Sequence, residues 1–338
     1  EIETKIVIMK TLIFLFLSAF VLAIGFKTFA FSFIQKGIRN NHNHRIGTSL
    51  KAHILRTIGN KIYGDKGEDT VWRALRHDAE IEAKTEPLLA SFLHAAILSH
   101  DSLENSLAFH MANQLESSTM ISTQIQALFL EAFKKSPEFR KAVRLDILAV
   151  MQRDPAVRTS PDVLLYFKGF QALQTHRVAH WLWTSRRQTL ALFLQTQANN
   201  ALHVDIHPGA RLGNGIMIDH GTGVVIGETA VVGDNVSMLH HVTLGGAGNK
   251  VGDRHPKVGN GVLIGAGATI LGNVKIGDGA NIGACSMVLE DIPANSVAVG
   301  VPARIILRKT SPNKSNRKSG ESPAFSMETN IEVFDYII

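Results

Sequence analysis

The chain has 338 residues, of which 45% are hydrophobic and 19% are charged. This length suits about two domains, and the apolar content excludes a wholly disordered chain. A single cysteine excludes an intramolecular disulfide framework and a cysteine-based zinc site. The net charge is +6, but nine basic and only two acidic residues fall within 1–64, which leaves 26 basic and 27 acidic residues in the remainder. A neutral body argues against nucleic-acid binding, which needs a basic surface.

Residues 1–64 have the features of a presequence. Lys10 precedes an apolar run over 12–26, which is short for a membrane span but suits the hydrophobic region of a secretory signal. Thr28-Phe29-Ala30 offers a cleavage site, and 31–61 is basic and free of acidic residues, like a transit peptide. This arrangement resembles the two-part presequence of algae whose plastids lie inside the endomembrane system. We therefore expect an organelle, with the plastid first; a plain signal peptide or anchor, another endomembrane compartment and the cytoplasm remain alternatives.

Residues 65–200 are predicted to form an all-helical domain. Apolar residues recur at helical spacing in two stripes that we expect to face the core. These stripes are Trp72, Leu75, Ala79 and Ala83, and Leu88, Phe92, Ala95 and Ala96. Ser136 followed by Pro137 predicts the start of another helix, and Asp154-Pro155 its end. Two further helices are expected, over about 161–183 and 187–199.

Residues 201–308 follow a period of six. Aliphatic residues stand six apart without a gap at Val258, Ile264, Ile270, Ile276, Ile282 and Val288. Neither a helix nor a plain strand has this period. Six residues fit one face of a triangular coil, three faces make a turn, and the turns stack as a solenoid. The predicted fold class is thus α+β: an N-terminal all-helical domain followed by a left-handed parallel β-helix of hexapeptide repeats. We expect the glycine after each anchor to occupy the corner with positive φ.

The repeat is interrupted once, between Leu244 and Val258. The segment 245–257 contains several glycines together with Lys250, Asp253, Arg254, His255 and Pro256. A charged loop that leaves a regular solenoid is a candidate functional element.

Six motifs follow one another along the chain behind the helical region. They are Asp154-Pro155-Ala156, Val204-Asp205-Ile206-His207-Pro208, Ile218-Asp219-His220, Gly227-Glu228-Thr229-Ala230, Gly252-Asp253-Arg254-His255-Pro256-Lys257 and Gly300-Val301-Pro302-Ala303-Arg304. Together, and in this order, they resemble serine O-acetyltransferase. The resemblance covers about 66–308. It implies an acyltransferase that moves the acetyl group of acetyl-CoA to L-serine, which is the first step of cysteine synthesis, with acetyl-CoA as co-substrate and no permanently bound cofactor.

The resemblance also implies roles for single residues. His220 matches the general base that a weakly nucleophilic hydroxyl needs, and Asp205 matches the carboxylate that orients it. The substrate-binding set comprises Asp154 and Asp219 for the ammonium group, Arg254 and His255 for the carboxylate, and Glu228, whose role is open. Small residues that match acetyl-CoA-binding positions are Gly246, Ala247, Ala266 and Ala284.

Other chemically active residues have plainer interpretations. His240 and His241 could suggest a metal together with His220, but no ligand spacing supports one, and we predict no metal site. Cys285 fits a small inward or near-corner position, and His207 before Pro208 is expected to be structural.

The tail over 309–338 starts as a flexible linker and ends in an apolar segment. In the family, a terminal isoleucine inserts into O-acetylserine sulfhydrylase, and Ile338 matches it; packing on its own coil is the alternative. The resemblance further implies a homohexamer built as a dimer of trimers, in which the helical domain over 65–200 mediates oligomerisation by pairing the trimers. It also implies L-cysteine as a possible inhibitor. Two rival functions remain: a non-catalytic regulatory partner of the sulfhydrylase, and a hexapeptide acetyltransferase for another acceptor.

Overall fold

The computed structural model describes residues 62, 67–248 and 251–306. The predicted presequence, apart from Ile62, and the tail with Ile338 lie outside the described residues. In the part of the chain that is described, no helix is both long and apolar enough to cross a membrane.

Eight α-helices precede the first strand in the described part of the chain. They are α1 Thr70–Thr85, α2 Ala90–Leu93, α3 Leu103–Leu115, α4 Ser122–Lys135, α5 Pro137–Arg153, α6 Ser160–Tyr166, α7 Lys168–Thr184 and α8 Gln188–Leu202. The backbone N–H of Phe139 donates to the Ser136 hydroxyl at 3.3 Å, which caps α5 as its sequence predicts. Helix α5 ends directly before Asp154, also as predicted.

Two predictions for the helical region are wrong. The helix expected over 161–183 is two helices, because Phe167 leaves helical geometry at ψ 97°. The chain restarts as α7 with Gly169 against the coil, where a Cβ would clash with the backbone oxygen of Ile218. The stripe that begins at Leu88 is not a core face. Leu88 is 89% exposed, because a 3₁₀ turn over Pro87–Leu89 and a π-helical turn over His94–Leu98 shift the register of buried residues around α2.

In the part of the chain that the structure describes, the coil consists of fifteen short strands. They are β1 Val204–Ile206, β2 Arg211–Leu212, β3 Met217–Ile218, β4 Val224–Ile226, β5 Val231–Val232, β6 Ser237–Met238, β7 Thr243–Gly245, β8 Lys257–Val258, β9 Leu263–Ile264, β10 Thr269–Leu271, β11 Lys275–Ile276, β12 Asn281–Ile282, β13 Met287–Val288, β14 Val297–Val299 and β15 Arg304–Ile306. They form three sheets. Face 1 is β1-β4-β7-β10-β13, face 2 is β11-β8-β5-β2, and face 3 is β15-β14-β12-β9-β6-β3. All neighbours pair in parallel except β14 and β15.

The strand register measures the length of each turn. Thr269 lies opposite Met287, 18 residues on, which is the regular repeat of three hexads. Val204 lies opposite Val224, a step of 20, because the sequence slips by two residues. Thr243 lies opposite Thr269, a step of 26, because the charged loop adds eight residues without disturbing the ladder. The predicted fold class, a helical region followed by a parallel β-helix of hexapeptide repeats, is confirmed.

The aliphatic anchors point inward as predicted, but the glycines after them do not have the expected role. Ile264, Ile270 and Ile282 are completely buried. Gly259 and Gly277 are not among the residues with positive φ. They are needed because a Cβ there would clash with the next turn, at Asp278 and Ala294 respectively. The left-handed positions come three residues after the anchors, and they include non-glycine residues. Among these are Gly261, Gly267, Gly279, Asn235, His241 and Cys285.

Buried charges join the helices to the coil. Asp146 of α5 is completely buried and accepts hydrogen bonds from Arg177 of α7 and from the backbone N–H of Ile216 at 3.0 Å. Arg153, at the end of α5, donates to the backbone oxygen of Gly215 at 3.0 Å and to Ser237 at 3.2 Å. Burial lowers the pKa of Arg153 to about 10, so it remains protonated near neutral pH. The end of α5 and the residue that follows it are thereby fixed against the coil.

Candidate active site

The predicted site residues of the coil gather at two of its edges. The edge between face 3 and face 1, which we call the histidine edge, carries Asp219, His220, His240, His241, Ala266, Ala284 and Cys285. The edge between face 1 and face 2, which we call the loop edge, carries His207, Glu228, Thr229, Gly246, Ala247, Arg254 and His255. The strands of face 1 separate the two edges within one chain.

His220 projects from the histidine edge. Its backbone has a φ of 56°, and its side chain is 73% exposed. The corner is supported from below by α7, because Lys168 donates to the Thr222 hydroxyl at 2.9 Å and the Cα of Gly169 lies close to Gly221. A strained, supported corner that presents an exposed imidazole is a suitable place for a proton acceptor.

Asp219 lies beside His220, and Asp154 lies near Asp219. The Asp219 Oδ1 is 3.8 Å from the Nε2 of His220. Asp154, which caps the end of α5, accepts a hydrogen bond from the backbone N–H of Ala156 at 2.7 Å. Burial raises the pKa of Asp219; the charge of Asp154 raises it further, while His220 opposes the shift. Two partly buried carboxylates that repel each other favour the binding of a cation between them.

Asp205 lies on β1, between the buried residues Val204 and Ile206. Its side chain is therefore on the outer surface of face 1. It accepts a hydrogen bond from the side-chain amide of Gln195 at 2.5 Å. Within the described residues of one chain, no hydrogen bond joins Asp205 to His220, so the predicted pair is not formed in a single copy.

Thr229 organises the loop edge. Its hydroxyl accepts the backbone N–H groups of Arg254 at 3.1 Å and of His255 at 3.2 Å. The same hydroxyl lies 2.8 Å from the Nδ1 of His255, and the Thr229 backbone N–H donates to that Nδ1 at 3.1 Å. One side chain thus fixes the backbone and the ring of the charged loop where it returns to the coil.

The environment of His255 determines its protonation. The ring is only 6% exposed, and burial lowers its pKa, with the charge of Arg254 contributing in the same direction. Because Nδ1 accepts a backbone N–H, the neutral ring carries its proton on Nε2. His255 therefore presents an N–H donor, and no negative charge, to a ligand at the loop edge.

Arg254 is held by Glu228. Its Nη2 donates to the Glu228 Oε2 at 2.9 Å, and both side chains are partly exposed. Lys257 braces the same loop by donating to Asp253 at 2.5 Å and to the Thr229 backbone oxygen at 2.9 Å. A pocket of about 300 Å³ adjoins these residues and is lined by Trp183, Gly209, Arg211, Glu228, Thr229 and Asp253.

The small residues that match acetyl-CoA positions are divided between the two edges. Gly246 and Ala247 are exposed on the loop edge. Ala266 lies on the histidine edge, packed against Leu239 and Leu263, and its backbone oxygen accepts the N–H of Cys285 at 2.7 Å. Ala284 is the residue before Cys285, half-buried on the same edge.

The remaining histidines and the cysteine have mostly structural surroundings. Among the described residues, no three His, Cys, Asp or Glu side chains come together as a metal site. His207 accepts the backbone N–H of Gly209 at 3.0 Å and contacts the Trp183 ring edge-on. Cys285 is exposed at a corner with positive φ, not inward. The His240 ring lies 5.8 Å from that of His220.

Sequence reasoning missed three residues that shape the site. Thr229 stands inside a quoted motif but carried no signal of its own, because a threonine becomes important only through its contacts. Gln195 and Lys168 lie in helices whose spacing reports burial, not polar contacts with the coil. Gln195 and Lys168 could be found only from the packing of helices on the coil, and Thr229 only from its contacts with the charged loop.

Much of the chain is similar to known proteins. Two family models match, "Serine acetyltransferase, N-terminal" over 71–175 and "Bacterial transferase hexapeptide (six repeats)" over 255–290. The probable serine acetyltransferase 5 of Oryza sativa subsp. japonica is 58% identical over 261 residues, which are 77% of this chain and 76% of that protein. The chain belongs to the serine acetyltransferase family.

Solved structures of serine acetyltransferases share the fold. The soybean enzyme complexed with serine is 57% identical with a TM-score of 0.69, covering 70% of this chain and 97% of that one. A serine acetyltransferase in complex with cysteine is 46% identical with a TM-score of 0.71, covering 76% of this chain and 96% of the other. The resemblance found in the motifs is confirmed, and the chain is an enzyme of the acyltransferase class.

Proposed function

We propose that this chain transfers the acetyl group of acetyl-CoA to the hydroxyl of L-serine, which gives O-acetyl-L-serine and CoA. The observation that carries the proposal is the presence of two complementary sets of groups. One set is a pair of carboxylates, of which Asp219 lies beside the exposed imidazole of His220, and the other is an arginine beside a neutral histidine donor. An amino acid with a side-chain hydroxyl needs such groups for its ammonium, hydroxyl and carboxylate. The serine bound to the soybean relative supports the choice of acceptor.

In this proposal, His220 removes the proton from the serine hydroxyl as its oxygen attacks the thioester carbonyl. The proton then passes to the departing CoA sulfur. Asp205 accepts a hydrogen bond from the other ring nitrogen, which fixes the tautomer and stabilises the imidazolium. The exposure of His220 and its position beside Asp219 support the role of His220 as the base.

Asp154 and Asp219 receive the substrate ammonium. Its positive charge relieves their mutual repulsion and offsets the raised pKa of Asp219. Arg254 and the Nε2–H of His255 receive the carboxylate. Glu228 holds the Arg254 guanidinium in place when no substrate is bound. This is the role that we propose for Glu228.

We further propose that each site forms between two copies of the chain. The histidine edge and the loop edge are on opposite sides of face 1, so one chain cannot offer both sets to a molecule as small as serine. A trimer of coils would bring the histidine edge of one copy to the loop edge of the next. Two trimers would then pair through the helical domain to give the homohexamer, consistent with exposed Ile81, Leu88, Leu89 and Phe92.

Acetyl-CoA is proposed to lie in the groove between copies, along Gly246, Ala247, Ala266 and Ala284, because small residues leave room for the pantetheine chain. Replacing Ala284 with leucine should raise the KM for acetyl-CoA and leave the KM for serine unchanged. An unchanged KM for acetyl-CoA would place the co-substrate elsewhere.

Three further proposals concern the tail, inhibition by L-cysteine and the presequence. Ile338 is proposed to dock in O-acetylserine sulfhydrylase, and deletion of 309–338 should then abolish capture of that enzyme without loss of turnover. L-cysteine is proposed to compete with serine, because the two differ only in one atom; the relative in complex with cysteine supports this. Residues 1–64 are proposed to direct the chain to a plastid, which a fluorescent fusion of this segment would test.

The function itself is tested by measuring CoA thiol release from acetyl-CoA with L-serine, other amino acids and sugars. Release that depends on serine supports the proposal. Release with a sugar but not with serine supports an acetyltransferase for another acceptor. No release from a folded oligomer that still captures the sulfhydrylase supports the regulatory-partner interpretation.

A further inference from the structure

Asp205 occupies an unusual place in the coil. Strand β1 is the terminal strand of face 1, so only one of its sides pairs with another strand, β4. Inner strands are fixed between two neighbours, whereas an end strand is not. Helix α8, which leads directly into β1, packs against this end of the coil. The orientation of the Asp205 side chain therefore depends on what α8 provides.

The group that α8 provides is the amide of Gln195. Its Nε2 donates to the Asp205 Oδ1 at 2.5 Å. An ionised carboxylate only accepts, so the NH₂ end of the amide must face it. Hydrogen bonds to a charged partner are the strong ones, and they fix orientation as well as position. Because an amide is neutral, it directs the carboxylate without cancelling the negative charge.

The surroundings leave the Gln195 side chain little freedom. It lines a cavity of about 10 Å³ together with His176, Val204 and Ile206, which has room for a single water molecule at most. The cavity wall is otherwise formed by buried side chains of α7, α8 and β1. The amide thus stays directed at Asp205.

We propose that Gln195 is a positioning residue for catalysis, which holds one oxygen of Asp205 so that the other faces the base His220. This inference rests on the proposed role of Asp205. Gln195 touches neither substrate; it acts through the carboxylate, and its loss reduces the rate of the chemical step and not the binding of serine or acetyl-CoA.

The test compares Q195L with Q197L, a matched control two residues along the same helix, in the full-length enzyme. Q195L should lower kcat about 10-fold, the effect expected for one charge-assisted hydrogen bond, with KM for both substrates unchanged. Q197L should retain wild-type values. The double variant D205N/Q195L should be no slower than D205N, because Gln195 acts only through Asp205.

The Q195E variant distinguishes a positioning role of Gln195 from a role in supporting the fold alone. An ionised glutamate side chain at this position would repel Asp205, whereas a protonated one can donate its O–H in place of the amide. The ratio of kcat for Q195E to wild-type kcat should therefore rise as the pH falls. A ratio that does not change with pH would overturn the inference.

The two proposals fail in different ways. Wild-type kcat in Q195L together with a severe loss in D205N removes Gln195 and leaves the role of Asp205 intact. Wild-type kcat in D205N removes the orienting role of Asp205 and, with it, this inference. Circular dichroism and sedimentation of each variant confirm that the oligomer is intact.

Discussion

The guanidinium of Arg177 binds the buried carboxylate of Asp146 at 2.8 Å and the backbone oxygen of Gly213 at the same distance. This pair joins α7, α5 and the coil at one point. R177M would leave the Asp146 carboxylate buried without its cation, and we expect a loss of about 3–5 kcal/mol in the free energy of unfolding. Urea denaturation measures it. The control is R187M, which breaks the exposed pair with Glu131 and should cost less than about 1 kcal/mol; equal losses would contradict the prediction.

Thr229 should matter for serine binding more than for chemistry. T229V keeps the shape but leaves the backbone N–H groups of Arg254 and His255 without their acceptor, at a cost of about 1–3 kcal/mol. We expect the KM for serine to rise about 10-fold or more, with a smaller change in kcat. T229S keeps the hydroxyl and should behave like wild type. Steady-state kinetics with serine varied would decide, and an unchanged KM in T229V would refute the role.

If each site forms between two copies of the chain, two inactive variants that carry changes on different edges should restore activity when they assemble together. If H220A and R254A chains are coexpressed in equal amounts, about a quarter of the sites combine an intact histidine edge with an intact loop edge. Activity should return to about that fraction of wild type. The pair H220A and D219N is the control, because both changes affect the same edge and no mixed site is complete. A site within one copy would give no recovery in either mixture.

His176 predicts a pH dependence of stability. Burial holds its pKa well below the ordinary value of 6.5. Below that value the unfolded chain takes up a proton that the folded chain does not, so stability falls as the pH decreases. The free energy of unfolding should decrease by up to about 1.4 kcal/mol per pH unit between about pH 6.5 and 5 on account of this ring. Urea titrations of H176Q should show a shallower slope than wild type, while H94Q, at an exposed position, should not; equal slopes would count against the prediction.

The strict period of six is sufficient to predict the coil, because neither a helix nor a plain strand places a buried aliphatic residue at every sixth position. The helices can be located by their spacing and caps, but their interruptions cannot. Gly169, which follows the break at Phe167, packs against Ile218, which lies 49 residues away in sequence. Local patterns carry no information about such contacts.

The candidate site, like the fold, could be predicted from the sequence only in part. Motifs identify His220, Arg254 and His255, since their residue types and order are distinctive. That these residues lie on two separate edges depends on which corner each loop occupies in the coil. The link from Gln195 to Asp205 depends on a helix packing on an end strand, and no spacing in the sequence indicates it.

The eight residues added between β7 and β8 leave the pairing of Thr243 with Thr269 intact. Strand β7 is bonded to β4 and β10, and β8 is bonded to β5 and β11, so the pairing of neither strand depends on the connection between them. A longer or shorter loop at this corner therefore costs the coil almost nothing, and its sequence is free to vary independently of the scaffold. Under the proposed role of Arg254 and His255 in binding the substrate carboxylate, exchange of this single segment between coils would alter which acceptor the protein recognises while the framework that carries it stays the same.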